Sequence, residues 1–111
     1  MGPPQQWEIL AMEKYLVTYH GPAIPSNPIV KAVAKATFGA WKMTTGDAII
    51  DPGLPTFPVG QVSKSDEEKG SDVTSYMVIQ AESVDAAKSV LAKHPYVSNG
   101  GTLVIHQMIE M

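Results

Sequence analysis

Three histidines and a few carboxylates are the side chains of this sequence best suited to proton transfer near neutral pH. His20 closes the run KYLVTYH just before a proline-rich loop, where a strand tip can present an imidazole as a general base. Asp51 follows two isoleucines and precedes Pro52-Gly53. Its carboxylate is expected at another strand end, either meeting His20 in an acid–base pair or starting an Asx turn. Tyr76 shares a strand face with Gln80, opposite Met77 and Ile79, and its hydroxyl would point into a lumen on that side. Trp41 can form an aromatic wall for a ligand or pack in a core. His94 falls at the expected C-terminal end of a helix, where the dipole favours a protonated imidazole that caps the helix or contacts a ligand. His106, near the C-terminus, either faces the same lumen with Val104 and Met108 or serves the sheet.

Other chemistries find no support in these residue types. The chain has no cysteine, which removes thiolate nucleophiles, disulfides and thiolate metal sites. Its histidines do not fall at His-x-His, His-x-x-x-His or His-Glu-x-x-His spacing, so no metal site is expected. The glycines form neither a dinucleotide loop nor a phosphate loop, and there is no Gly-x-Ser-x-Gly elbow. No cofactor is expected. A net charge of -3, with eight lysines and no arginine, argues against a nucleic-acid surface. No segment approaches the roughly 20 apolar residues of a membrane helix, and the N-terminus lacks a signal-like apolar run. The expectation is a cytoplasmic protein that contacts neither nucleic acid nor membrane.

With 111 residues, one domain is expected: an extension over residues 1–12 and a folded unit over 13–111. KYLVTYH at 14–20 is rich in β-branched and aromatic residues and reads as a strand ended by Gly21 and the prolines after it. Ile29 to Thr45 places Val30, Val33, Ala34, Phe38 and Trp41 at helical spacing, with Asn27-Pro28 as cap and first turn. Gly46 can stop this helix in a left-handed turn, and residues 47–51 then form a short strand. A weaker strand signal covers 57–64, followed by the charged loop SDEEKGSD at 65–72. VTSYMVIQA at 73–81 alternates as a strand, and Ser83 caps an amphipathic helix that ends near His94-Pro95. A turn-rich connector leads to a last strand at 102–110. The order is βαββαβ, an α+β ferredoxin-like plan in which an antiparallel sheet carries helices on one face. The other face then needs a cover, which a second copy stacked sheet to sheet would provide, enclosing a lumen for a small molecule.

The segments KYLVTYHG, GAWKMTTGDAIIDPGLP, VTSYMVIQAES and HPYVSNGGTLVIHQMIEM resemble those of YCII-related proteins. These are members of the dimeric α/β-barrel superfamily and relatives of the branch named for a DGPF motif. The resemblance spans nearly everything after Met12. It implies a ferredoxin-like subunit, a homodimer, and a pocket between the central sheet and the first helix. It also brings a pattern that this chain departs from: a histidine on the first helix and an aspartate in a DPY-type turn, proposed as an acid–base dyad. Here residues 29–45 hold no histidine, the turn reads His94-Pro95-Tyr96, and Ser65 to Asp72 replaces the DGPF segment.

The reading that best joins these points is a homodimer that binds a compact, partly apolar organic molecule and moves protons without a cofactor. Lyase or isomerase chemistry would suit it, with His20 and Asp51 as acid–base groups and Trp41, Tyr76 and His94 as ligand contacts. The alternatives are a non-catalytic ligand-binding or regulatory accessory protein, of the kind the DGPF branch links with sigma-factor regulation, and a cofactor-free monooxygenase of the same superfamily.

Overall fold

The computed structural model describes residues 12–21, 27–65, 67 and 69–110, so the expected extension lies outside the described residues except for Met12. The elements are β1 (Glu13–His20), α1 (Pro28–Thr45), a 3-10 turn (Gly46–Ala48), β2 (Ile49–Asp51), β3 (Val73–Ala81), α2 (Val84–Leu91), α3 (Pro95–Ser98) and β4 (Thr102–Gln107). The four strands form one antiparallel sheet in the order β2-β3-β1-β4. This is the ferredoxin-like arrangement, with one short helix added before the last strand.

Local chemistry accounts for the helix ends. Asn27 accepts hydrogen bonds from the backbone N–H groups of Ile29 and Val30 at 2.9 and 3.2 Å, and Pro28 opens α1 without a donor to satisfy. Gly46 ends the helix at φ 63°, a conformation costly for a residue with a Cβ, and its N–H reaches the Lys42 carbonyl. The Ser83 hydroxyl caps α2 through the Ala86 N–H at 3.1 Å.

Three expectations are corrected. No strand forms over 57–64, which Pro58 interrupts; the chain meets the sheet edge just before it, through a Pro55–Ser75 bridge and a bond from the Thr56 N–H to the Thr74 carbonyl. The second strand begins at Ile49, because residues 46–48 make the 3-10 turn first. Part of the connector after His94 is the helical turn α3, since Pro95 occupies its first position and His94 caps it.

One sheet face makes the core. Tyr15, Val17 and Tyr19 of β1 and Met77, Ile79 and Ala81 of β3 are buried with Trp41 of α1 and with Ala87 and Leu91 of α2. Val17, Met77 and Ile79 are fully excluded from solvent, each burial contributing about 1.5–3 kcal/mol. The apolar stripe expected along α1 is covered only in its C-terminal half. Trp41 is buried and Phe38 packs beside it, whereas Ile29 is 76 % exposed and Val33 61 %.

The opposite face carries Leu16, Thr18 and His20 from β1, Tyr76, Val78 and Gln80 from β3, and Val104 and His106 from β4. Thr18 pairs with Tyr76 on one side and Val104 on the other. The β1–β3 register shifts between Tyr19 and His20, placing His20 opposite Val73.

Candidate active site

That register shift brings together a group of hydrogen-bonded polar side chains on the open face. Because His20 lies opposite the first residue of β3, the residue before it, Asp72, falls within reach, and its Oδ1 lies 2.8 Å from His20 Nδ1. His20 Nε2 is 2.7 Å from Thr18 Oγ1, two residues away on the same strand face. Thr18 Oγ1 in turn lies 3.4 Å from His106 Nε2 on β4. These groups form a chain, Asp72, His20, Thr18 and His106, across the open face.

The direction of the bonds follows from what each group can donate. An ionised carboxylate only accepts, so the His20 proton sits on Nδ1 and Nε2 offers its lone pair. The Thr18 hydroxyl then donates to His20 Nε2, and its oxygen is left to accept from a His106 Nε2–H. His20 is thereby oriented as a base, with its side chain 22 % exposed and so reachable by a ligand. Asp72 is 82 % exposed, which leaves the ion pair little energy of its own and makes orientation its principal effect. Asp72 also borders an open cleft of about 340 Å³, shared with Pro55 to Pro58 and Ser71 to Thr74.

Asp51 does not reach this group. Its carboxylate accepts the Gly53 N–H at 2.9 Å in an Asx-type turn, so the carboxylate partner of His20 is Asp72 and not Asp51. Tyr76 stands on the open face directly across from Thr18.

Trp41 and His94 lie together on the other side of the sheet. Their ring centroids are 4.4 Å apart, with Phe38, Tyr19 and Tyr96 around them. The space between sheet and α1, where the resemblance implies a pocket, is filled at these positions by stacked and edge-on aromatic rings. His94 is 2 % exposed, and its Nδ1 accepts the Tyr96 N–H at 3.0 Å as the cap of α3. Its Nε2 therefore carries the proton and donates to the Tyr19 hydroxyl at 2.7 Å. The expectation of a protonated imidazole at a helix C-terminus is thus corrected. Burial lowers the His94 pKa to about 4, and the dipole end it meets is an N-terminus, which favours the neutral acceptor. Burial, and after it the neighbouring Tyr96, pushes the Tyr19 hydroxyl well above its usual range. In a turn where the resembling family has an aspartate, an imidazole nitrogen does the capping.

This architecture has a solved counterpart. It is the 5-chloro-2-hydroxyhydroquinone dehydrochlorinase from Burkholderia phenoliruptrix AC1100, determined in complex with 2,5-dihydroxybenzoquinone. The two chains superpose with a TM-score of 0.57 at 20 % identity, over 88 % of this chain and 95 % of that one. At this identity the likeness is one of fold. Neither a protein-family model nor a curated protein matches the sequence. Among the described residues, no cluster of three His, Cys, Asp or Glu side chains is arranged to hold a metal ion, and no helix is long and apolar enough to cross a membrane.

Thr18 and Asp72 were the residues missed in the sequence. Thr18 is one more β-branched residue in a strand. Asp72 belongs to an acid-rich loop, yet it directly precedes β3, and in a ferredoxin-like plan the start of that strand lies beside the end of β1.

Proposed function

We propose that this chain is a YCII-like enzyme that binds a compact, partly apolar ring compound and transfers protons on it without a cofactor, as a lyase or isomerase. The observation that carries the reading is the position of His20, held by Asp72 through one nitrogen and offering the other to Thr18 on the open sheet face. In this reading His20 Nε2 takes a proton from the substrate, directly or through the Thr18 hydroxyl. His106, at the far end of the chain of bonds, returns a proton to the product or leaving group. Leu16, Val78 and Val104 supply apolar surface for the ring, and Tyr76 a hydroxyl beside it.

The reading includes a homodimer. Stacking two open faces would remove apolar surface from water and enclose the His20 site, where charges act in a lower dielectric.

The test is solvent-deuterium exchange and product analysis on a panel of hydroxylated ring compounds, because the solved counterpart holds a dihydroxybenzoquinone. His20→Ala is expected to lower turnover by about 10²–10⁴-fold. Turnover unaffected by His20→Ala would refute the assignment. Light scattering that shows a monomer at micromolar concentration would remove the dimer.

A further inference from the structure

We propose that Thr18, His20 and Asp72 also act as a nucleophile, base and carboxylate for acyl transfer from small activated esters. The inference uses the same His20–Asp72 pair but does not require that the chain transfer protons on a ring compound. Its ground is the geometry that nucleophilic catalysis by a hydroxyl needs: hydroxyl to imidazole at 2.7 Å, and imidazole to carboxylate at 2.8 Å through the opposite ring nitrogen.

The rest of the face fits the reaction. His106 Nε2, 3.4 Å from Thr18 Oγ1, is placed to donate to an oxyanion forming on a carbonyl under attack. Val104 flanks Thr18 on one strand, and Leu16 is two residues before it on the same face, which suits a short acyl group. In the forward step the Thr18 Oγ1–carbon bond forms while its proton passes to His20 Nε2. The tetrahedral intermediate then collapses, breaking the bond to the alcohol, which leaves with the proton from His20. Water, deprotonated by the same imidazole, attacks the acyl-threonine, releases the carboxylic acid and restores the hydroxyl. The β-methyl group of threonine crowds the attack, so the substrates expected are those with good leaving groups, such as aryl esters.

The experiment uses the full chain with p-nitrophenyl acetate, followed by acid quench and peptide mapping by mass spectrometry. The expected result is an acetyl group on Thr18. Hydrolysis is expected to be roughly a hundredfold slower in Thr18→Val and retained in Thr18→Ser. An acetyl group found only on histidine or lysine, or a Thr18→Val rate equal to that of wild type, overturns the proposal, because the imidazoles alone would then account for hydrolysis. If Thr18→Val does not fold, the acetylation site in the unaltered protein decides. An acetyl-threonine forms without any proton exchange on a ring compound, so this result and that of the deuterium assay can fail separately.

Discussion

Acidification should destabilise this protein through one buried histidine. His94 has a folded pKa of about 4 against an ordinary value of 6.5, because burial disfavours the imidazolium. A folded pKa below the unfolded one means that, between the two values, the unfolded chain binds the proton and the folded chain does not. Stability contributed by the neutral imidazole is therefore complete above pH 6.5 and lost as pH falls through the window down to about 4. Linkage puts the loss at about 2 kcal/mol by pH 5 and about 3 kcal/mol at the bottom of the window. The structure adds a second reason. Protonation of Nδ1 would turn the acceptor of the Tyr96 N–H into a donor and break the cap of α3. Urea unfolding at pH 7.5 and pH 5.0, at one protein concentration, measures this as a midpoint shift of about 1–2 M for a typical m-value. His94→Asn keeps a capping oxygen but cannot titrate, so it is expected to be less stable at pH 7.5 and to lose about 2 kcal/mol less on moving to pH 5.0. Equal losses in the two proteins would refute the argument, since other groups would then carry the acid sensitivity.

Other substitutions test other parts of the structure. Trp41→Ala should cost about 3–5 kcal/mol by emptying the space against His94 and Phe38, read by thermal or urea unfolding. Gly53→Ala should destabilise by about 1–3 kcal/mol, because φ is 72° and a Cβ there would run into the Tyr76 carbonyl; an unchanged melting temperature would contradict that close approach. Asn27→Ala should cost about 1 kcal/mol through loss of the α1 cap, with a matching loss of helical circular dichroism on heating. Asp72→Asn should lower turnover less than His20→Ala does, because it removes the orienting charge and leaves the base; a larger loss in Asp72→Asn would give the carboxylate a direct chemical role.

The fold was legible because its signals are local. Tyr15, Val17 and Tyr19 alternate with Leu16 and Thr18, Met77 and Ile79 alternate with Tyr76 and Val78, and Asn27 and Ser83 cap helices where short-range chemistry says they should. The site was legible only in part, because its geometry comes from pairing. His20 stands where the end of the first strand suggested. Its carboxylate partner is decided by the irregularity between Tyr19 and His20, which no periodicity in either strand announces. Asp51 ends one strand and Asp72 precedes another; the local turn bond to Gly53 and the tertiary registry with His20 separate them. Trp41 suited a ligand wall and His94 a helix cap or ligand contact when read singly, and only their mutual packing shows them occupying the same layer of the core. The α1 residues Ile29, Val30 and Val33 carried a true helical period whose burial a single chain does not complete.

The two faces of the sheet therefore place their histidines in different surroundings. On the helix face, His94 has traded charge for burial: neutral, capping a turn and bonded to Tyr19, it belongs to the core and is closed to solvent. On the open face, His20 remains partly exposed, and its bonds run to groups that can exchange protons. If a second copy closes over that face, its polar groups must each have a partner, since a buried donor or acceptor left alone costs about 1–3 kcal/mol. The chain from Asp72 through His20 and Thr18 to His106 already supplies partners for those four side chains within one subunit. The hydrogen-bonded chain proposed for catalysis would thus also lower the cost of burying this face, and replacing Thr18 by valine should strain an enclosed dimer more than an isolated subunit.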